Sequence, residues 1–426
     1  MTLRDNSRIQ LKSNRNSNNF KFNDPRVSGL TKEQILLLDL KDLARDYLEI
    51  EQLKSKCVEL IRKNLESLDF TEFLKYPNYL IKEKSLKKKV SPTNIRGLNI
   101  VSVDGSSVVK KFMNVDFSFL KAIAVNYYFL ENHSSKINYY PDISGYNNYL
   151  VQGNYLNREE HAVETKISMD MTYMEINLLN KLIDKRDNID LIIIDGSIVI
   201  MPINLLFAKD FEISKAYDVL LKEYQKLYIN CKEKGIILIG SIKDTRTSAL
   251  THLLTSSIQM LKPNSTKLND FLTINYRQIL EYFSDIDLFS RLLKKSERST
   301  VFNCKREIDK IRDTGIKKEI PYYFPYNFYA FYLKTVHHDT PCRIEFFMDE
   351  RDSNEEAAKR ADLISSILLP ISSHNEFYGL PIPQIEAHKR AVFKPYEINL
   401  LHNNLMRTLN KFGISLIEKR RNRRPF

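Results

Sequence analysis

The sequence predicts an α/β fold: a mixed sheet with parallel members, flanked by helices, with further helical segments at the N-terminus and inserted late in the chain. Three observations carry that reading. Short apolar runs such as Leu191–Ile194 and Gly235–Ser241 have the length and composition of strands buried on both faces. A helical pattern, Ile213–Lys234, separates those two runs, as it would between parallel strands joined through a covering helix. Finally, "NIVSVDGSSVV" (Asn99–Val109) and "DLIIIDGSIVI" (Asp190–Ile200) each end an apolar run in Asp-Gly-Ser.

The elements follow in order. Residues 1–27 are rich in Asn, Ser and charge and read as a flexible arm. Residues 28–90 read as a helical region: after a Thr31 cap, apolar residues recur at three- and four-residue steps through "QILLLDLKDLARDYLEIEQLKSKCVELIRKNL". The basic run Lys82–Val90 reads as a solvated helix end or linker before the first strand. Leu98–Val103 and Phe119–Phe129 are expected strands, Ser168–Ile183 a helix, and Pro341–Met348 a further strand followed by a helix over Asn354–Leu368. Residues 255–320 read as a charged helical insertion, and 138–160 give no clear assignment. The aromatic run Pro321–Leu333 is expected in the core or at an interface between two copies rather than as a platform for bases. A last helix is expected over Pro395–Lys411, before a basic tail at 414–426.

Composition narrows the function. The 426 residues carry a net charge of +12, which favours a polyanionic partner because each phosphate neutralised releases condensed counterions. Four scattered cysteines, with no Cys-x-x-Cys pair, suggest neither a disulfide framework nor a zinc site and fit a reducing compartment. The N-terminal stretch has no apolar segment of the kind a signal peptide needs, and the longest apolar run is broken by Asp195, Gly196, Pro202 and Asn204. A soluble, cytoplasmic protein with no membrane partner is the expectation.

An Asp at the carboxyl end of a buried strand lies at the rim of the sheet, where open α/β sheets place ligands. There, Gly lets the chain turn at once and Ser does not crowd the carboxylate. Asp104 and Asp195 can therefore converge, and two adjacent carboxylates call for a cation between them. Oxygen ligation points to Mg²⁺ or Mn²⁺. The same Asp-Gly pair also serves simply to end strands. Glu175 borders the face of Met171, Met174, Leu178 and Leu182 on a helix leading into the Leu191 strand, and is a candidate third ligand, with Asp170 and Glu164 as substitutes. Lys243, just past the Gly235–Ser241 run, is placed for a scissile phosphate or is a plain strand-end lysine. Arg343 and Glu345 alternate along one strand, as an ion pair or as residues near the site.

The residues "VDGSSV", the Glu175 helix, "IIIDGSIV", "GSIKDTRTS", "CRIEFF" and "LPIPQIEAHKRA" resemble the NurA nucleases, DNA-end-processing enzymes of archaea and bacteria, from about residue 95 to 395. The resemblance implies an RNase H-like core within a nuclease domain spanning 91–413. It matches Asp104, Glu175 and Asp195 to the acidic metal ligands and His388 to the catalytic histidine, which either assists proton transfer or joins the metal's ligands. Lys243, from its rim position, and Tyr378, as the nearest tyrosine to the family's, are the further candidate catalytic residues. Arg343, Lys389 and Arg390 are the expected DNA contacts. It implies a two-ion mechanism with Mn²⁺ or Mg²⁺, cleavage of DNA in the 5′ to 3′ direction, endonuclease action on single strands, a homodimer, and a HerA-type hexameric translocase as partner in end resection. This chain has no Gly-x-x-x-x-Gly-Lys-Ser/Thr loop, so ATP-driven threading would fall to that partner. One departure stands out. The family's tyrosine eight residues before its histidine is Leu380 here, and the nearest tyrosine is Tyr378.

Three rivals remain. A phosphatase with an aspartate nucleophile needs a second Asp two residues on, where this chain has Ser106 and Ser197. A catalytically weak DNA-binding scaffold would show a broken acidic set. An RNA-directed nuclease would share the phosphodiester chemistry.

Overall fold

The computed structural model describes residues 31–417 apart from 77, 114, 132–133, 142–149, 154–159, 186–187, 201–210, 262–265 and 305–325. The expected N-terminal arm lies outside the described residues, as does all but the first few residues of the basic tail. The chain divides into two compact units, Met1–Lys56 and Cys57–Phe426. The first contributes most of helix α1 (Lys32–Lys63), on which Leu36, Leu40, Leu43 and Tyr47 are exposed.

The second unit is built on one mixed sheet. Its elements are, in order, α2 (Thr71–Leu74), β1 (Lys87–Lys89), β2 (Asn99–Lys111), β3 (Asp116–Phe129), β4 (Ser135–Tyr140), β5 (Leu150–Gly153), α3 (Glu160–Lys185), β6 (Leu191–Asp195), α4 (Phe211–Glu233), β7 (Ile237–Ile242) and α5 (Ala249–Leu261). There follow α6 (Tyr276–Leu280), α7 (Asp285–Leu292), β8 (Glu297–Ser299), β9 (Phe302–Asn303), β10 (Tyr326–Lys334), β11 (Cys342–Asp349), α8 (Asn354–Ser372), α9 (Ile382–Ala391) and α10 (Pro395–Lys411).

Among the described residues the strand order is β1-β8-β10-β11-β7-β6-β2-β3-β4, with β5 on β3 and β9 on β10. Among the described residues only the β2–β6 and β6–β7 pairs are parallel. This is the expected α/β class, a mixed sheet flanked by helices, and the parallel strands are the ones whose apolar runs suggested them. Each of Ile100, Leu191, Ile193 and Ile239 is fully buried there, and burying one such side chain contributes about 1.5–3 kcal/mol.

Strand alternation sorts the two faces. Leu120 of β3 packs with Val163 and Ile167 of α3. Ile123, Val125 and Tyr127, of opposite parity on the same strand, pack with Ala387 of α9. α3 and α9 therefore cover opposite faces of the sheet around β2 and β3.

Three expectations are corrected. β2 does not turn at Gly105 but runs on to Lys111, paired with β3 throughout. The basic run after Lys82 is not only a linker: Lys87–Lys89 pairs antiparallel with β8 at the sheet edge. The insertion at 255–320 is not wholly helical, since Glu297–Ser299 and Phe302–Asn303 add strands against β10. The aromatic segment of β10 is core, with Phe331 and Tyr332 fully buried. No helix among the described residues is long and apolar enough to cross a membrane.

Candidate active site

The parallel register sets Val103 beside Ile194, so the next residue of each strand, Asp104 and Asp195, follows at the adjoining position on the same face. Asp104 is also the register partner of Ile123, whose face is the one α9 covers. α9 begins with Pro381 at its N-cap and a proline in its first turn, positions that cost no hydrogen bond. It buries Gln384, Ala387 and Ala391 against the sheet. His388 lies beside that buried stripe, in the last turn of the helix.

One ligand atom each from Asp104, Asp195 and His388 lie within 4.8 Å of one another. His388 Nδ1 is 2.8 Å from Asp104 Oδ2, and Asp104 Oδ1 accepts a bond from the Gly105 amide at 2.8 Å. On the other carboxylate, Lys243 Nζ donates to Asp195 Oδ2 at 2.6 Å and Gln384 Nε2 donates to Oδ1 at 3.1 Å. Burial pushes the Asp104 carboxyl above its ordinary range, Asp195 adds to the push, and His388 and the Gly105 amide oppose it. Burial works to lower the Lys243 ammonium, but its bond and charge attraction to Asp195 outweigh burial and raise it.

Glu175 reaches the site from the opposite face. It is not at the border of its helical face, as the sequence suggested, but inside, 8% exposed. Its carboxylate stands behind Gly105, where a Cβ would lie only 2.8 Å from Met171 Cγ and would meet Glu175 Oε1. The glycine is thus needed for close approach, not for a turn. A turn does occur at the second motif, where Gly196 has φ +132°. Burial first, then Asp104 and Asp195, push the Glu175 carboxyl up to about 8. Glu175 is not in the group of mutually close ligand atoms, although both aspartates act on it.

The other expected residues divide. Lys243 is at the site, and Tyr378, 44% exposed, acts electrostatically on Lys243. Lys389 is exposed. Arg390 bonds Glu386 at 2.7 Å and lies over the Tyr139 ring. The expectation that Arg343 contacts DNA is corrected: it is 4% exposed and pairs with Glu345 at 2.8 Å. Glu345 in turn accepts from Ser197 Oγ at 2.5 Å, bracing the turn after Asp195. The substitutes are engaged elsewhere, Asp170 with Lys166 and Glu164 with Lys111.

Gln384 was not foreseen. It is fully buried, holds Asp195, and its Oε1 has no hydrogen-bond partner among the described residues. A lone amide in "LPIPQIEAHKRA" gives no sign of this, except that helical spacing puts it on the face of Ala387 and Ala391. A cavity of about 400 Å³, lined by Cys231, Ile237, Tyr326 and Asp349 among others, opens where β7 begins and β11 ends. None of the acidic site residues lines it.

The donor set fits a divalent cation: two carboxylates and an imidazole at common reach, with an ammonium already drawn to one of them.

A family model of the NurA domain matches residues 98–393. No curated protein matches the chain. Among solved structures, the NurA nuclease from Sulfolobus solfataricus is 16% identical, covering 86% of this chain and 97% of its own, with a TM-score of 0.47. A crystal structure of NurA with manganese is 13% identical over 86% and 98% of the two chains, with a TM-score of 0.39. One of NurA bound to dAMP and manganese is 14% identical over 86% and 95%, with a TM-score of 0.36.

Proposed function

The chain belongs to the NurA family, and from that membership we propose that it is a divalent-metal-dependent deoxyribonuclease whose centre is the Asp104–Asp195–His388 group. The observation that carries the reading is the convergence of these three side chains, from two strands and a helix, with Glu175 close behind. The meander β2-β3-β4, extended by parallel β6 and β7, is read as an RNase H-like core.

In this reading Asp104, Asp195 and His388 would hold one cation, and Glu175, once deprotonated, would serve a second. The oxygen and imidazole donors favour Mn²⁺, with Mg²⁺ second. A bound divalent cation supplies a nucleophilic water at neutral pH and neutralises charge on the phosphodiester oxygens. Gln384 orients Asp195 through Oδ1, leaving Oδ2 as the oxygen shared with Lys243. Lys243, once off Asp195, stabilises negative charge at the phosphate. The alternative role for His388, with its ring 54% exposed and Nδ1 on Asp104, is to pass a proton between the site and solvent in place of ligating the cation. Tyr378 stands beside Lys243 on the approach, and Lys389 and Arg390 follow as backbone contacts.

The family reading extends to 5′ to 3′ exonuclease action and single-strand endonuclease action in end resection, as a cytoplasmic homodimer with a HerA-type translocase. The net charge of +12 supports a DNA partner. The deciding experiment is cleavage of end-labelled single- and double-stranded DNA with Mn²⁺, comparing the protein with Asp195→Ala. Metal-dependent cleavage that the substitution abolishes, in a protein of unchanged circular dichroism, is expected. Equal cleavage by both proteins would remove Asp195 from the mechanism, and binding without cleavage would favour the scaffold reading.

A further inference from the structure

Beside the acidic site two loops are locked together: 335–341, between β10 and β11, and 373–381, between α8 and α9. Thr335 Oγ1 donates to the Gly379 carbonyl at 2.7 Å, and the Gly379 amide donates to Asp339 Oδ2 at 2.7 Å. The His338 amide donates to the Glu376 carbonyl at 3.1 Å, and Lys295 Nζ donates to Glu376 Oε1 at 2.5 Å. There is no room for a side chain at residue 379, where a Cβ would fall 2.8 Å from Val336 Cγ2.

At the crest of this clamped pair stands Phe377, 72% exposed. Its ring is stacked on the His338 imidazole, with centroids 4.9 Å apart and planes 18° off parallel, and its amide donates to Asn375 Oδ1 at 2.8 Å. One face of the ring is therefore backed and fixed. The side chain's exposure leaves the ring open on the solvent side, at the cost of apolar area in water.

The position is what gives this ring a use. The next residue, Tyr378, acts on Lys243, whose ammonium is 2.6 Å from Asp195. The first loop runs into Cys342, whose thiol donates to the Ile242 carbonyl at 3.2 Å, one residue before Lys243. The second runs into α9, whose Gln384 donates to Asp195, so the clamped loops lie at the rim of the acidic site. A flat, rigid, solvent-facing ring at the rim of a phosphodiester site suits a nucleobase, since stacking is sequence-tolerant and needs only a π face. Bases inside a duplex have both faces occupied by their neighbours, so an unpaired base is better placed to use it.

We propose that Phe377, backed by His338, is the stacking surface for a nucleobase of single-stranded DNA entering the acidic site. This rests on the nuclease reading for its choice of ligand, but not on catalysis. Holding the base fixes the register of the phosphate relative to Asp195, and the clamped loops keep the ordering cost on binding low.

The test uses the full chain with a single-stranded oligonucleotide carrying 2-aminopurine near its end, with Ca²⁺ as the cation. Wild type is expected to bind and to quench the probe. Phe377→Ala is expected to bind roughly tenfold more weakly with the quenching lost, and Phe377→Trp to restore both. An oligonucleotide abasic at its end should bind wild type and Phe377→Ala alike. Unchanged binding and quenching in Phe377→Ala would overturn the proposal. An equal loss on the abasic strand would do so too, since it would mark a purely structural role or a site for another kind of partner, as would failure of wild type to bind single-stranded DNA. Quenching without any cleavage in Mn²⁺ would end the nuclease reading and leave the stacking surface standing; cleavage unaffected by Phe377→Ala would do the reverse.

Discussion

Glu175 occupies the space that a side chain on Gly105 would need, although one residue belongs to the helix on one face of the sheet and the other to the strand carrying Asp104. A methyl group there meets the Glu175 carboxylate and Met171 together. Gly105→Ala should therefore displace Glu175, cost about 1–3 kcal/mol by overpacking, and lower Mn²⁺-dependent cleavage severely. Thermal melting and a cleavage assay check both parts. At Gly196, by contrast, nothing lies within 4 Å of a built Cβ, and Ala is opposed there only by the positive φ. A Gly105→Ala protein as active as wild type would show that Glu175 has no part in the site.

The proton on Glu175 makes the metal-free protein sensitive to pH. Its carboxyl is held up to about 8 in the folded chain, chiefly by burial, against an ordinary value of 4.5. The folded state keeps a proton that the unfolded state gives up, so this stabilisation is fully present below about pH 4.5 and is lost as pH rises through about 8. Asp104 is raised in the same direction. With chelator present, unfolding free energy should fall by a few kcal/mol between those limits, and Glu175→Gln should flatten the dependence. A metal-free protein with the same pH profile before and after that substitution would contradict the assignment.

Metal uptake should follow from the same proton. Cation binding must displace it, so Mn²⁺ affinity is expected to rise with pH up to about 8 and to release protons. Calorimetric titration in buffers of different ionisation enthalpy measures the number released, and zero would count against Glu175 as a ligand.

Lys243 and a cation compete for Asp195 Oδ2, which the ammonium holds at 2.6 Å. Lys243→Met is expected to bind Mn²⁺ several-fold more tightly while cleaving about 10²-fold more slowly, having lost positive charge at the phosphate. Weaker metal binding in this variant would mean that Lys243 orders the site rather than competing within it.

Far from the site, Arg298 is fully buried and bonds Glu83 at 2.7 Å and Asp362 at 2.6 Å, tying the segment before β1 to β8 and α8. Removing one partner of such a buried pair typically costs about 3–5 kcal/mol. Arg298→Met should show that loss in urea unfolding without changing Mn²⁺ affinity. A loss below about 1 kcal/mol would class the pair with exposed ones.

Where side-chain period and end signals agreed, the chain could be read directly. α10 has the bounds its periodicity indicates, and β6 differs from expectation by one residue. β8 and β9 were not foreseen because segments of three and two residues are too short to show alternation, and Glu297-Arg298-Ser299 looks like surface. At the site, Asp104 and Asp195 stood out because a carboxylate at the end of an apolar run is costly unless used. Gly105 was noticed for the wrong reason, since a missing Cβ and a positive φ are both written as Gly. Gln384 gave no signal, because an amide on a helix becomes functional only when something packs opposite it.

The amino-acid order by itself determined the α/β class, the two carboxylates that close apolar runs, the helix bearing Glu175 and the segment bearing His388, because periodicity and local turn chemistry act over a few residues. Only the tertiary structure decided that His388 and Gln384 descend on one face while Glu175 comes through a gap in the other, and that Arg343 is buried with Glu345. Those outcomes depend on strand register and on which helix covers which face, and both are set by long-range packing that no local stretch of chain encodes.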